Sequence, residues 1–174
     1  NGIYKRQVLS QQNYSSETLQ YKRGDILDRD GNTLATSQKM YTLVLEPKNI
    51  LRSEEVQKAT IDALHKYMKL DEDKLLKFIK RHKDSYYSVY REELSYSQIA
   101  DLKDFIASDK AENVSGIVFN EKYKRRYPNQ SLASQVIGFV SDGTIGTGGI
   151  EQYYNSTLSG VDGRKYKYLN EELE

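Results

Sequence analysis

The stretch Tyr21–Ala35, "YKRGDILDRDGNTLA", decides the fold prediction for the N-terminal part of this chain. It combines an Arg-Gly-Asp tripeptide, three aspartates and an Asp-Gly pair within one short run. An Asp-Gly pair between β-type runs is a strong hairpin signal, because the favoured two-residue turn needs positive φ at both central residues. We therefore predict a strand in "GDILD", a turn at "RDGN" and a second strand in "TLATS".

The pattern then changes from strand to helix. A third β-run, "MYTLVLEP" at Met40–Pro47, ends at a proline, which cannot continue a strand ladder. Ser53 is a good N-cap for a first helix, and "DEDKLLKFIKRHK" at 71–83 predicts a second. The capping-box pattern Ser95-x-x-Gln98 opens a third, after the strand-like "YYSVYREEL".

The C-terminal third returns to mixed structure. "SGIVFNEKYKRRYP" predicts a long strand, "SLASQVIGFV" a short and mostly buried helix, and "SDGTIGTGG" a loop. "IEQYYNSTLSG" predicts a further helix and "RKYKYL" a closing strand. Hairpins and helices that occur in separate blocks favour an α+β class. We predict small hairpin-rich sheets with a helical insert lobe.

Composition excludes several function classes. The 174 residues include no cysteine, which rules out disulfides, thiolate catalysis and cysteine-ligated zinc. The net charge of +1 gives no bulk attraction for nucleic acid, so we expect no nucleic-acid partner. No apolar run approaches the roughly 20 residues that span a bilayer, and no signal peptide is visible.

The aspartates of the opening stretch do not form a calcium loop. Placing Gly31 at the sixth position of such a loop puts Asp28 and Asp30 at ligand positions. The first and twelfth positions are then Ile26 and Ser37, so two defining ligands are missing. We predict no metal site and no cofactor, and we interpret these aspartates as turn-formers that bond their own backbone.

Three other site readings remain open as alternatives. The tripeptide Arg23-Gly24-Asp25 could serve an adhesin if it lay at an exposed loop tip. Asp28, Asp30 or Glu151 could act in a small cell-wall hydrolase, which would need two carboxylates facing one cleft at roughly 5 to 9.5 Å. "GTIGTGG" superficially resembles a phosphate loop, but it lacks the Gly-Lys-Ser/Thr ending.

Three stretches taken in order carry more information than any one alone: "RGDILDRDGNTLA", "RRYPNQSLASQVIGFV" and "GTGGIEQYYNSTLSGVDG". Each resembles a signature of the N-terminal, non-catalytic region of class B penicillin-binding proteins, the monofunctional cell-wall transpeptidases. Asp30 and Gln130 depart from the family pattern, which usually has Asn and Gly there. The positions that match are Arg23, Gly24, Asp28, Arg29, Gly31, Arg125, Tyr127, Pro128, Gly146, Gly149 and Glu151.

These matching residues form a structural motif rather than a catalytic one. Glycines permit close approach of the backbone, and arginines offer forked donors that can hold a glutamate. We predict that at least one of Arg23, Arg29 and Arg125 pairs with Glu151 or Asp28.

The resemblance implies a segment without catalysis of its own. The family's reaction depends on Ser-x-x-Lys, Ser-x-Asn and Lys-Thr/Ser-Gly motifs in a later domain. None of the three motifs occurs in this chain. We therefore expect no penicillin acylation and no enzyme activity from this segment, whereas its parent resembles a serine-type, penicillin-sensitive D,D-transpeptidase.

The resemblance also implies an organisation and a location. Residues 1–22 would be a membrane-proximal lead-in and 23–174 an elongated pedestal, with 52–110 as the helical insert lobe. An upstream transmembrane helix would anchor the chain at the extracytoplasmic face of the membrane, in a bacterium that we predict to be Gram-positive.

Partners follow from the same resemblance. They would be the protein's own C-terminal transpeptidase domain and the membrane glycan polymerase of the shape, elongation, division and sporulation family. Other division or sporulation proteins and self-association are further expectations.

Overall fold

The computed structural model describes residues 14–128, 134–141 and 144–168. The chain divides into two compact units. Unit 1 comprises Asn1–Ser37 and Arg125–Glu174, and unit 2 comprises Gln38–Lys124.

The described residues form eight strands, seven α-helices and one 3-10 helix. In chain order these are β1 (Tyr14–Leu19), β2 (Ile26–Leu27), β3 (Thr33–Leu45), α1 (Pro47–Ile50), α2 (Glu54–Met68), α3 (Glu72–Arg81), β4 (Ser88–Leu94), α4 (Tyr96–Ile106), the 3-10 helix (Asp109–Ala111), β5 (Ile117–Arg126), α5 (Ser134–Ile137), β6 (Phe139–Ser141), β7 (Ile145–Thr147), α6 (Gly149–Tyr153), α7 (Asn155–Leu158) and β8 (Gly163–Tyr168).

Three small sheets hold these strands. β1 pairs antiparallel with β8, and β6 pairs antiparallel with β7. The third sheet has the order β2-β3-β4, all antiparallel, and β5 also pairs with β3. Small antiparallel sheets combined with separate helices confirm the predicted α+β class.

The hairpin between β2 and β3 forms, but its turn differs from the prediction. The Gly31 amide donates to the Asp28 carbonyl at 3.1 Å, so Arg29 and Asp30 are the central residues. Gly31 follows them with φ of +84°, whereas Asp30 is not among the described residues with positive φ. The predicted two-residue turn was therefore wrong. The loop is longer, with one glycine in the left-handed region, a common alternative for hairpins.

β3 corrects a second prediction, because "TLATS" and "MYTLVLEP" are not separate strands. They form one strand of 13 residues, Thr33–Leu45. Its last six residues, Met40 to Leu45, are all buried, which suits a strand with partners on both sides. Pro47 starts α1 instead of only ending the strand, and its missing N–H costs nothing at a first helical position.

Unit 2 has an apolar core built from its strands and helices. Fully buried members include Leu43, Leu64, Leu75, Ile79 and Leu102. Thr60 and Ile61 are also buried on α2. Thr60 is tolerated there because its hydroxyl donates to the Ser115 carbonyl at 3.1 Å.

Side-chain caps begin α2 and α4 as predicted, and α3 has a further cap that was not predicted. Ser53 Oγ accepts from the Val56 amide at 3.2 Å at the start of α2. The Ser95 amide donates to Gln98 Oε1 at 2.8 Å at the start of α4. α3 begins at Asp71, whose carboxylate accepts from the Lys74 amide at 2.8 Å. These bonds satisfy amides that have no partner inside the helix.

The segment after Pro128 departs from the prediction in three ways. The buried helix is only α5, four residues long, and Val136 on it is 64% exposed. The predicted loop contains the strand β7. The single C-terminal helix is divided at Tyr154 into α6 and α7. The first part of "SLASQVIGFV", up to residue 133, lies outside the described residues.

The predicted lobe at 52–110 stays a prediction in its exact boundaries. Its three helices, α2, α3 and α4, belong to unit 2. The lead-in at 1–22 falls partly outside the described residues, and its last part includes β1. Within the described part of the chain, no helix is both long enough and apolar enough to cross a membrane.

Candidate functional site

Glu151 is the centre of a buried polar cluster in unit 1. It lies in the first turn of α6 with 0% of its surface exposed. Its Oε2 accepts from Arg23 Nε at 2.8 Å, and its Oε1 accepts from Arg125 Nε at 2.8 Å. The Tyr127 hydroxyl donates to the same Oε1 at 3.3 Å. A buried carboxylate is costly unless it is paired and hydrogen-bonded, and here both oxygens are engaged.

Arg23 connects several segments through its remaining nitrogens. Its side chain is 1% exposed, and Nη2 donates to the Glu151 carbonyl at 2.8 Å. Nη1 lies within 3.0 Å of three acceptors, which are the Thr144 carbonyl, Asn155 Oδ1 and Ser159 Oγ. A single guanidinium therefore joins the opening stretch to the loop before β7 and to α6 and α7.

Arg125 makes the second connection. Its Nη1 donates to the Gly24 carbonyl at 2.8 Å and to Ser37 Oγ at 3.1 Å. Its buried Nη2 has no hydrogen-bond partner among the described residues. The end of β5 is thus attached to β3 and to the backbone beside Arg23. The predicted pairing of at least one arginine with Glu151 or Asp28 is confirmed, because Arg23 and Arg125 both pair with Glu151.

The cluster favours architecture over acid–base chemistry. Two guanidiniums surround one carboxylate, so all of its charge is engaged in ion pairs. Burial, and then the neighbouring Glu151 carboxylate, raises the pKa of Tyr127 to about 12. Tyr127 therefore stays a neutral donor near neutral pH. The Glu151 carboxylate is 0% exposed and is held by three protein donors, so a substrate cannot reach it, which argues against a hydrolase based on Glu151.

Gly146 is required by the close approach of β7 to this cluster. A Cβ at this position would lie 2.0 Å from the Glu151 carbonyl oxygen and 2.7 Å from Arg23 Nη2. The Gly146 amide donates to Asn155 Oδ1 at 2.9 Å. Gly149, at the start of α6, has φ of +51°, and a Cβ there would lie 2.2 Å from the Val136 carbonyl oxygen. Side chains at these two positions would displace the backbone that carries Glu151.

The remaining motif residues lie apart from the ion cluster. Asp28 is at the hairpin turn, where its Oδ1 accepts from the amides of Asp30 and Asn32 at 2.9 and 2.8 Å. The Asn32 side chain and backbone hold the pKa of Asp28 below its ordinary value. Arg29 is exposed on the same turn, and Pro128 is exposed after β5. Asp28 is therefore a turn-former.

The adhesin reading conflicts with the position of Arg23. Adhesion through an Arg-Gly-Asp tripeptide needs the arginine to be accessible, whereas this guanidinium is buried and fully occupied by Glu151 and its neighbours. Asp25 is exposed, and Thr36 Oγ1 donates to it at 2.7 Å, which lowers the pKa of the Asp25 carboxyl.

Four residues of the cluster were missed by sequence reasoning. Ser37, Thr144, Asn155 and Ser159 all supply acceptors to the two arginines. None of them is among the positions that match the family pattern, and common polar residues carry no sequence signal of a buried partner. Among the described residues, no three His, Asp or Glu side chains come together to hold a metal ion.

Comparison with known proteins places this architecture in a family. The sequence model of the family described as "Penicillin-binding Protein dimerisation domain" matches residues 18–172. A curated relative, the peptidoglycan D,D-transpeptidase FtsI of Buchnera aphidicola, is 28% identical over 145 residues. That match covers 83% of this chain and 24% of the relative, so the chain spans about a quarter of that protein's length.

Solved structures agree with the sequence match. Penicillin-binding protein 2X of Streptococcus thermophilus has a TM-score of 0.68 at 26% identity, over 86% of this chain and 24% of that one. Penicillin-binding protein PBP2 of Helicobacter pylori, solved in complex with MreC, has a TM-score of 0.54 over 91% of this chain and 32% of that one. At 23% identity, the latter likeness is one of fold.

The relatives come from both Gram-negative and Gram-positive bacteria, so they do not support the predicted Gram-positive origin. Their names connect the family to the bacterial cell wall, to division and to cell shape. With its three motifs gathered around one buried glutamate, this chain belongs to the penicillin-binding protein dimerisation domain family.

Proposed function

We propose that this chain is the non-catalytic scaffold of a serine-type peptidoglycan D,D-transpeptidase. It positions the catalytic domain of that protein above the membrane and contacts other proteins of peptidoglycan assembly. The observation that carries this proposal is the family match over residues 18–172, in a sequence without the acylation motifs.

The buried cluster supports a scaffold role. Glu151 is joined to Arg23 and Arg125, which are separated from it by 128 and 26 positions in sequence. Ion pairs of this kind hold one geometry, because any displacement leaves a buried charge without its partner. Unit 1 can therefore act as a rigid support that fixes the position of a following domain.

The location and the partners belong to the same proposal. We place the chain at the extracytoplasmic face of the cell membrane, anchored by an upstream transmembrane helix. Its partners are the transpeptidase domain, the glycan polymerase of the shape, elongation, division and sporulation family, and other division or sporulation proteins. Self-association is part of the proposal as well.

A groove in unit 2 is the place where we expect a partner to bind. It has a volume of about 330 Å³ and lies between α2, α4 and the segment after the 3-10 helix. The rings of Tyr67 and Phe105 are stacked there, 4.8 Å apart between centroids. Ala59 lines one side, and charged residues of both signs complete the lining. Aromatic residues such as Tyr67 and Phe105 are enriched at protein-binding surfaces, and the rim of such a surface is polar.

Binding of the purified glycan polymerase to the immobilised chain tests the partner assignment. Ala59→Arg would fill the groove with a long cation, and we expect at least about tenfold weaker binding, as for loss of a central interface contact. Ala100→Arg on α4 is the matched control, since Ala100 is also half-buried on a helix and does not line the groove. Equal binding of the polymerase by both variants would show that the groove is not part of the interface.

Labelling with a fluorescent β-lactam tests the absence of catalysis. We expect no covalent label on this chain under conditions that label a complete transpeptidase. Stoichiometric labelling at one residue would show an acylating nucleophile here, and the scaffold proposal would then fail.

A further inference from the structure

The outward face of α3 carries a concentration of positive charge that the scaffold role does not use. Successive residues of an α-helix are about 100° apart, so residues three, four and seven positions apart share a face. Lys77, Lys80 and Arg81 fall within one such face, opposite the buried Leu75 and Ile79. The helix therefore packs its apolar side on the core of unit 2 and presents a basic side to solvent.

The charges on this face are not neutralised within the protein. Lys77, Lys80 and Arg81 are exposed, as is Lys83 just beyond the helix. These four residues, which we call the α3 basic face, form no ion pair within the described part of the chain. Other lysines of unit 2, such as Lys122, are paired with glutamates. The nearest acids in sequence are Asp73 at the start of the helix and Asp84 after it.

Aromatic side chains extend the surface beyond the helix end. Tyr86 and Tyr87 are 56% and 60% exposed. The Lys48 amide donates to the Ser85 carbonyl at 3.0 Å, and Lys48 Nζ lies 4.6 Å from the centroid of the Tyr86 ring. Lys48 thus adds a fifth cation beside an exposed tyrosine, next to the loop that follows α3.

We propose that the α3 basic face binds an anionic phospholipid bilayer. The surface is an open helix side with no enclosing walls, so it suits an extended partner better than a small ligand. Lysines and arginines beside exposed tyrosines are the residues that favour a lipid headgroup region. Because the net charge of the whole chain is only +1, any attraction to an anionic surface has to come from local patches such as this one. The choice of a bilayer rests on the membrane location proposed above.

Sedimentation with lipid vesicles tests this inference on the 174-residue chain. We expect binding to phosphatidylglycerol-containing vesicles and none to pure phosphatidylcholine vesicles. Raising the salt from about 0.1 M to about 1 M shortens the Debye length from about 10 Å to about 3 Å and should release the chain. Each cation near an anionic lipid surface raises partitioning about fivefold.

Removal of four cations from this face tests whether the α3 basic face is the surface that binds the vesicles. The variant Lys77→Gln, Lys80→Gln, Arg81→Gln, Lys83→Gln should bind phosphatidylglycerol vesicles at least about tenfold more weakly. The control replaces Lys58, Lys110, Arg164 and Lys165 with Gln, which are also exposed and lower the net charge equally. Circular dichroism should show the same folded spectrum for both variants.

Two results would overturn the proposal. One is equal loss of vesicle binding in both variants, which would mean that net charge alone drives binding. The other is binding to soluble polyphosphate without binding to phosphatidylglycerol vesicles, which would make the face a polyanion site. Vesicle binding does not involve the glycan polymerase, so its failure can be told apart from failure of the scaffold proposal.

Discussion

At the residue scale, Glu151 is the side chain on which the interior of unit 1 depends. It accepts hydrogen bonds from two arginines and a tyrosine, and neither oxygen is exposed. The cost of burying three charges is offset only while all of them are present, because each guanidinium needs the carboxylate as its partner. The stability of this unit is therefore unusually sensitive to a change at one position.

Replacing Glu151 with Gln should destabilise the chain by about 3–5 kcal/mol, because two buried guanidiniums lose their counter-charge. Glu92→Gln is the matched control. Glu92 forms an ion pair with Lys122 at 2.9 Å, close to the 2.8 Å between Arg23 and Glu151, but the Glu92 side chain is 58% exposed. Surface pairs contribute about 0.2–1 kcal/mol. Urea denaturation gives both free energies of unfolding, and similar losses in the two variants would contradict the assigned importance of the cluster.

Tyr127 should make the chain sensitive to alkali. Its pKa is about 12 in the folded protein, above the ordinary value of 10.0, mainly because of burial. A raised pKa stabilises the folded state below pH 10, and this contribution is lost as pH rises from 10 to 12, because only the unfolded state has then released its proton. The free energy of unfolding should fall more steeply over this window for the wild type than for Tyr127→Phe. Parallel pH profiles would contradict this assignment.

At the scale of elements, the hairpin between β2 and β3 shows how a turn sets a register. The Asp28 carboxylate accepts from two turn amides, and Gly31 provides the one residue of positive φ. Arg23 lies just before the first arm of this hairpin, β2, and is a member of the arginine–glutamate cluster. Ser37 lies on the second arm, β3, and accepts a hydrogen bond from Arg125 of that cluster. A turn of different length would shift these arms relative to each other.

Gly31→Ala should destabilise the hairpin by about 1–2 kcal/mol, the cost of placing an alanine in the left-handed region. A Cβ at this position would meet nothing within 4 Å, so backbone strain is the only cause. Gly31→Asn is the matched control, because asparagine tolerates the left-handed conformation better. Thermal or urea unfolding of both variants measures the difference. An equal loss for Ala and Asn would exclude backbone strain as its source.

At the scale of the whole molecule, the two units have interiors of different chemistry. Unit 2 has a continuous apolar core across β3, its helices and β4. The apolar cluster of unit 1 contains only Ile26, Ala35 and Ile137 as buried members, among the described residues. Unit 1 instead buries Arg23, Arg125 and Glu151. The sequence motifs concentrate where the interior is polar, because ion pairs tolerate few substitutions, whereas an apolar core accepts many combinations of similar volume.

Leu64→Ala should therefore cost about 2–5 kcal/mol through a cavity in the core of unit 2, where Leu64 is 0% exposed. Leu27→Ala is the matched control, since Leu27 is 54% exposed and its truncation leaves no cavity. Surface changes of this kind stay within about 0.5 kcal/mol. Unfolding of both variants in urea measures the costs. A small cost at Leu64 would mean that the core readily collapses around the change.

Local sequence patterns predicted much of the architecture. Caps at Ser53 and Ser95, the helical spacing of apolar residues and the α+β class all depend on neighbours within a few positions, so they can be read directly along the chain. The motifs also indicated that at least one arginine would pair with Glu151 or Asp28. Predictions were weaker after Pro128, where short elements with exposed apolar residues give no clear period.

By itself, the sequence determined the class of fold, the family and the residue types of the central cluster. Only the tertiary structure decided which arginines meet Glu151: Arg23 and Arg125 do, and Arg29 remains on the surface. It also decided that Asn155 and Ser159 complete the cluster. The physical reason is that these contacts join residues far apart in sequence, and their geometry depends on turn length, strand register and the close approach at Gly146 together. No short stretch of the chain contains that information.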